Sequence, residues 1–281
     1  MVIFSIGIMN GQVKDPPKPF PKLDRLPEKL REVRESDVIW ATRLWQRIDL
    51  RQPMNMPLNQ PLDSVVLEKR SFFQLLLDEV IFDTTSEILI YKDYDLRKPL
   101  NRKEIIKIIR QADTILVTSK NNQVKSHSAY LPLSYIKSNL IYIDIMEDWF
   151  FDQRIADFDR RILAIGVHIP IFKVVDSVID EEEYLRKEIY QKTDSSLIVW
   201  FYYPTLRPLL ANSPCYRHKA TSTILSYDEV FIKGHYSDYI IHQENEFDKA
   251  INEYTTGLKA VLESSKMDIN LFNANLDMWE Y

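Results

Sequence analysis

The sequence predicts an α+β protein of two related lobes, mixing helices with mainly antiparallel strands, behind an extended proline-rich arm. Three observations predict this. Cap-like tetrads at Ser71-Phe-Phe-Gln74, Asn101-Arg-Lys-Glu104 and Ser226-Tyr-Asp-Glu229 announce helices, because residue 1 and residue 4 of such a box satisfy each other's free amides. Alternating apolar runs at 140–146 and 195–203 announce strands. Finally, the succession cap, short helix, strand, cap, helix occurs twice, which suggests an internal duplication. The expected divisions are residues 1–12 as the remnant of a secretory signal, 13–35 as a basic arm, 36–135 as an N-terminal lobe and 136–281 as a C-terminal lobe.

Taken in order, the apolar run Met1 to Met9 followed by the stretch Asp15 to Pro27 looks like the end of a secretory signal leading into a mature arm. A basic n-region is missing and the run is short, which a late start codon or a trimmed upstream segment explains. Pro16, Pro17, Pro19, Pro21 and Pro27 keep the arm extended and loosely ordered unless a partner holds it. Helix is expected from near Leu30. Trp40, Leu44 and Ile48 recur at i, i+4 and i+8, so they are expected on one face of a short helix capped by Asp37, which Pro53 and Pro57 then end. A helix follows Ser71, with Phe72, Phe73, Leu76, Leu77 and Val80 on one face, then a turn at Asp83 to Ser86 and a strand from Glu87 to Lys92. The next helix carries Ile105, Ile106, Ile108 and Ile109.

In the second half, Leu140 to Met146 and Arg161 to Phe172 are expected as a hairpin joined through residues 147–160, with one wet face because Ile141, Ile143 and Ile145 alternate with Tyr142, Asp144 and Met146. Ser195 to Tyr203 is apolar on both faces and is expected to be central, ending at Pro204. A helix from Ser226 stops at Gly234, a strand spans Asp238 to Gln243, and a long helix opens at Asn245 with Phe247, Ile251, Leu258, Val261 and Leu262 on one side.

Composition narrows the function. With 45% hydrophobic residues over 281 positions the chain can bury a substantial core, while only 5 glycines disfavour phosphate-cradling loops. Net charge of -5 lacks the basic footprint of a nucleic-acid binder. The charge is uneven: residues 1–60 hold 10 Lys+Arg against 7 Asp+Glu, and residues 241–281 hold 3 against 8, a polarity suited to head-to-tail association. A single cysteine, Cys215, forbids an intrachain disulfide. Beyond the N-terminal run, no stretch nears the roughly 18 apolar residues of a spanning helix.

Little here points to chemistry. His127, His168, His218, His235 and His242 lack the spacing of a helical zinc site, Cys215 and His218 make half a metal motif at most, and the run Asp180 to Glu183 reads as a solvated segment. No catalytic residue, metal or cofactor is expected. Two competing functions have residues to their name. Trp40, Trp149 or Tyr203 lining a groove would suit a periplasmic carbohydrate- or peptide-binding module, and Asp49 with Asp152 in one pocket would suit a hydrolase.

Read together, Asp37-Val-x-Trp40, Trp45-x-x-Ile-Asp49-Leu-Arg51-x-x-x-Asn55-x-Pro57-Leu58, Asp148-Trp149-Phe-Phe-Asp152-x-Arg154 with Arg161-Ile-Leu-Ala-Ile165, Trp200-Phe-Tyr-Tyr-Pro204 and Asp277-Met-Trp279-x-Tyr281 resemble the GldN/PorN family of the type IX secretion and gliding-motility apparatus of Bacteroidota. The resemblance runs from about residue 36 to Tyr281. It departs at the curtailed signal and at Pro57-Leu-Asn-Gln-Pro61. What it implies is a non-enzymatic periplasmic subunit forming a homo-oligomeric ring with an outer-membrane lipoprotein, GldK/PorK-like, and meeting the periplasmic domain of a GldM/PorM-like motor protein. Partner contacts would then fall on Trp40, Trp45, Asp49, Arg51, Asn55, Pro57, Trp149, Arg154, Trp279 and Tyr281, with the arm and the Asp277 to Tyr281 segment contributing.

Overall fold

The computed structural model describes residues 25–59, 71–82, 87–110, 113–118, 124–129, 140–179, 186–215, 225–246 and 249–279. The signal-like run, most of the arm, the turn at 83–86, His218, Phe247, the acidic run 180–183 and Tyr281 lie outside these residues. The strands are β1 (Val38–Asp49), β2 (Ile90–Tyr91), β3 (Asp113–Thr118), β4 (Val124–Ala129), β5 (Tyr142–Asp152), β6 (Asp157–Ile179), β7 (Arg186–Tyr202), β8 (Pro214–Cys215), β9 (Leu225–Ser226) and β10 (Asp238–Gln243). The helices are α1 (Met56–Asn59), α2 (Phe72–Phe82), α3 (Arg102–Arg110), α4 (Tyr203–Ala211), α5 (Tyr227–Ile232), α6 (Ile251–Tyr254) and α7 (Leu258–Trp279).

The fold is α+β, and its frame is an antiparallel six-stranded sheet in the order β10-β1-β5-β6-β7-β2. Strands from 36–135 and from 136–281 therefore share one sheet. The two similar successions place their strands, β2 and β10, at its opposite edges. One face carries Ile48, Ile143, Ile145, Ile165, Val167, Val199 and Phe201, covered by Phe72 and Leu76 of α2, Ile105 of α3, Leu206 and Leu210 of α4 and Phe231 of α5. Each fully buried side chain of this size contributes about 1.5–3 kcal/mol, so this layer supplies most of the folding drive. The other face holds a smaller cluster of Trp45, Tyr91, Met146, Ala164 and Trp200.

Helix starts follow local chemistry closely. Ser226 Oγ accepts from the Glu229 amide at 3.1 Å while Glu229 accepts from the Ser226 amide at 2.7 Å. Asn101 and Glu104 repeat the exchange at 3.0 and 2.8 Å. Ser71 Oγ accepts from the Gln74 amide at 3.2 Å. Gly234 ends α5 with φ +63, as a C′ glycine should. The β5–β6 hairpin turns at residues 153–156, tightened by the Arg154 amide donating to Asp152 Oδ1 at 2.9 Å.

Several expectations are corrected. Residues 38–49 are strand, not helix: a spacing of four is even, so it satisfies the two-residue period of a strand as well as a helical face, and β5 and β10 pair with the segment on both sides. Residues near Leu30 are not helical, and only Glu35–Asp37 forms a short 3-10 turn, because side chains of the body engage the backbone here (see below). The strand expected over 87–92 is confined to Ile90–Tyr91, the hairpin connection to four residues rather than fourteen, and β7 is flanked by β6 and the two-residue β2 rather than central. β5 has no wet face over residues 143–147, because both sides of the sheet are covered there and Asp144 and Met146 are buried. The C-terminal helix opens at Leu258, not Asn245. Asn245 donates its side-chain amide to the Gln243 and Lys249 carbonyls, and Gly257, with φ +63, separates α6 from α7.

Gly166 on β6 shows why one glycine is required. A Cβ there would lie 2.9 Å from the Trp200 ring, which packs flat over it from β7. The ring cannot yield as a flexible chain end would. Gly166→Ala is expected to lower unfolding free energy by about 1–3 kcal/mol in urea titrations, the usual cost of overpacking, whereas an unshifted midpoint would contradict this packing.

Candidate functional site

The described end of the arm, residues 25–34, lies along a seam formed by the β5–β6 hairpin and helices α4 and α5. Contacts run both ways across it. From the arm, Arg31 reaches Asp152 at 2.6 Å and Asp159 at 3.2 Å, and Arg25 reaches Glu229 at 3.0 Å. From the body, Arg161 and Arg154 donate to the Arg31 and Glu32 carbonyls at 2.8 Å each, and Arg207 donates to the Glu28 carbonyl at 2.5 Å. Guanidinium groups that bond main-chain carbonyls hold the strand whatever its side chains. Those bonds favour an extended backbone over the helix that local sequence suggests. Burial would raise the Asp152 pKa, but the Arg154 amide and the Arg31 and Arg154 guanidiniums outweigh it and hold the carboxyl below the usual range.

Under the arm is a cleft of about 490 Å³ bordered by Glu28, Arg31, Trp149, Phe158, Arg160 and Tyr203. Its floor is polar and fully engaged. Glu147, buried, accepts from Arg160 Nη1 at 2.8 Å, Trp149 Nε1 at 2.9 Å and the Tyr236 hydroxyl at 3.3 Å. Arg160 Nη2 also donates to the Phe231 and Ile232 carbonyls at the end of α5, at 3.1 and 3.2 Å. Beside it, Tyr203 donates to Asp228 at 2.7 Å, and Arg207 clamps the same carboxylate with two bonds of 3.0 Å. Burial first, and then the Asp228 charge, push the Tyr203 pKa up.

On the opposite face, four strands contribute a polar ladder. Arg47 donates to both Asp144 oxygens at 2.7 and 2.8 Å, His168 Nε2 lies 2.7 Å from Asp144 Oδ2, and His168 Nδ1 lies 3.1 Å from Ser196 Oγ. Ser, His and Asp in sequence of contact invite comparison with an acyl-transfer triad. The arrangement lacks two of its requirements. Ser196 stands mid-strand opposite Pro170, without the strand-to-helix turn that presents a nucleophile beside oxyanion amides, and Asp144 is already neutralised by Arg47. The pair Asp49 and Asp152 does not meet either. Asp49 ends β1 while Asp152 pairs opposite its first residue, so about 36 Å of strand separates them. Asp49 is instead bound by Arg51 at 2.6 Å.

The residues expected at partner contacts are thus scattered. Trp45 is buried, stacked on His242 at 4.2 Å, and Asn55 is fully buried, bonding the Asp49 and Ser237 carbonyls and the Ser237 amide. Trp40 is half-buried against Phe158, and Arg51 lies at the surface on Tyr142. Pro57 offers its carbonyl toward the Cys215 thiol. Trp149 and Arg154 flank the seam, Arg154 also pairing with Asp37 at 2.9 Å. Trp279 closes α7. Sequence reasoning missed Glu147, Arg160, Arg31, Arg207 and Asp228. One signal was present: Glu147 continues the odd-numbered, core-facing register of Ile143 and Ile145, and a carboxylate there demands a cation.

The family model described as Gliding motility associated protein GldN matches residues 33–280, nearly the whole chain, and the chain belongs to that family. No curated protein matches it. Among the described residues no helix is long and apolar enough to cross a membrane, and no group of three or more His, Cys, Asp or Glu could hold a metal ion.

Two outcomes are expected. Arg160→Met strands a buried carboxylate and should cost about 3–5 kcal/mol, whereas pairing it with Glu147→Leu should recover much of that loss in denaturant melts. Failure of the second change to recover stability would refute the pairing. The second concerns Asp238, whose pKa is pushed up to about 6 by burial first and by the Glu147 charge next, with Asp268 adding to it. A raised folded-state pKa makes this group most favourable to folding below its unfolded value, and that contribution is lost as pH rises through about 6. Asp238→Asn should therefore raise Tm at pH 7.5, with the gain shrinking toward pH 4. A pH-independent gain would rule this out.

Proposed function

We propose that this GldN-family chain is a non-enzymatic structural subunit of a periplasmic ring, built with a GldK/PorK-like outer-membrane lipoprotein and supporting type IX protein secretion as well as gliding motility. The observation that carries the reading is the use made of the charged groups: the carboxylates Asp144, Glu147, Asp152 and Asp228 are each engaged by arginine in contacts that join strands, helices and arm. Such groups position surfaces. They are not held ready for proton transfer, which needs a titrating group facing substrate. The family match supports the motility role, and the signal-like N-terminal run supports export. A GldM/PorM-like periplasmic domain is the second companion.

The cleft of about 490 Å³ is the feature that favours a second reading, a periplasmic carbohydrate- or peptide-binding module. It is the weaker one, because Tyr203 is buried with its hydroxyl on Asp228 and offers no stacking face. Purification of a tagged chain from a membrane fraction, followed by mass measurement of the intact assembly, tests the proposal. Many copies together with a lipoprotein are expected. Deleting residues 13–24, which spares the clamps from Arg25 onward, should lower the recovered assembly without unfolding the subunit. A solitary, monodisperse subunit, or turnover of a small molecule, would overturn the reading.

A further inference from the structure

Helix α7 is thinly held. Of the described side chains in its 22 residues Ser264 alone is buried, and the Ser264 hydroxyl has no hydrogen-bond partner among the described residues. The helix packs chiefly on β10 and α6. It joins the body through Gly257, where φ is +63 and a Cβ would meet nothing within 4 Å. A left-handed glycine in open space is a joint that can turn without repacking its surroundings.

Carboxylates gather where α7 rests. Asp238 opens β10, and the Gln46 side-chain amide of β1 stands between it and Glu147 of β5, donating to Asp238 Oδ2 and Glu147 Oε2 at 3.2 Å each. Arg160, from β6, is the cation of this nest, and it bonds Glu147 at 2.8 Å. Tyr236, just before β10, donates its hydroxyl to Glu147 and brings no charge. From α7 comes Asp268, one turn beyond Ser264 on the same side of the helix, whose charge acts on Asp238. Lys266 is taken up by Glu263 at 2.6 Å, and among the described residues no ion pair reaches Asp268. Three carboxylates thus stand against one guanidinium.

We propose that α7 is a proton-controlled hinged helix, docked on β10 while Asp238 carries a proton and released about Gly257 when Asp238 and Asp268 are both ionised. An ionised Asp238 repels two neighbours. Glu147 cannot move, because Arg160, Trp149 and Tyr236 bond it within the sheet. Asp268 can, because it sits on a helix with one buried side chain and a glycine joint. Release also returns both carboxylates to water, which relieves the burial that disfavours their charge. The direction follows from linkage. The docked Asp238 carboxyl is pushed up to about 6, so docking is most favoured below its undocked value and the preference is lost as pH rises through about 6. Burial pushes the Asp268 carboxyl up as well, which adds in the same direction.

The switch is a property of the single subunit and goes beyond the proposed function without depending on it. Hydrogen exchange of the purified full chain at pH 5 and pH 8, read by mass spectrometry and corrected for the intrinsic pH dependence of amide exchange, tests it. Protection over residues 258–279 should fall roughly tenfold from pH 5 to pH 8, while protection over β5 and β6 stays level. Asp238→Asn should keep α7 protected at pH 8 and remove the pH dependence, and Asp268→Asn should remove part of it. Protection of α7 that is the same at both pH values, whether high or absent, would overturn the inference. So would a loss shared equally by β5 and β6, which is unfolding of the whole body, or a pH dependence that persists in Asp238→Asn. None of these outcomes bears on a ring recovered from membranes, so the two readings fail separately.

Discussion

The buried pair of Glu147 and Arg160 is the constraint on which the rest of the structure depends. A carboxylate on the core side of β5 carries a desolvation penalty of several kcal/mol, which only a well-placed cation with further hydrogen bonds offsets. Arg160, arriving from β6, supplies both, and its second nitrogen takes the carbonyls that close α5. The guanidinium then occupies the space over Gly234, where a Cβ would lie 2.9 Å away, so the chain must turn there on a glycine. Tyr236 completes the shell from the segment leading into β10. Sheet, helix and edge strand are thereby fixed relative to one another by one ion.

From that centre, arginines spread outward along the seam. Individually, exposed ion pairs contribute little, commonly under 1 kcal/mol. What distinguishes the seam is that Asp152 and Asp228 are buried acceptors, so Arg31 and Arg207 are required partners rather than decoration. The arm is consequently part of the folded body from Arg25 onward. Such clamps hold an extended segment against the body, whereas α7 keeps an apolar side unburied.

Much of the local structure was legible in the residues. Reciprocal caps at Asn101 with Glu104 and Ser226 with Glu229, the C′ role of Gly234 and the bounds of β10 all follow from interactions within a few residues, where sequence spacing is physical distance. The family resemblance was legible for a related reason: motifs recur in order along the chain. Segment type was misread where a pattern had two solutions, as at Trp40, Leu44 and Ile48, whose spacing fits either period. The bonding partners of the site residues were hidden for a different reason. Asn55 and Arg154 look like surface residues in a motif, yet their partners, Ser237 and Glu32, are 182 and 122 residues away.

By itself, then, the sequence determined the α+β class, the caps and stops of its helices, the hairpin and the membership of its family, because each is a matter of short-range chemistry or of ordered motifs. Only the tertiary structure decided that residues 38–49 join a sheet between β5 and β10, that Glu147 finds Arg160, that the arm is clamped by main-chain bonds, and that one face of α7 is left bare. Those outcomes depend on which distant groups compete for the same neighbour, and burial, unlike spacing, is a property of the whole chain.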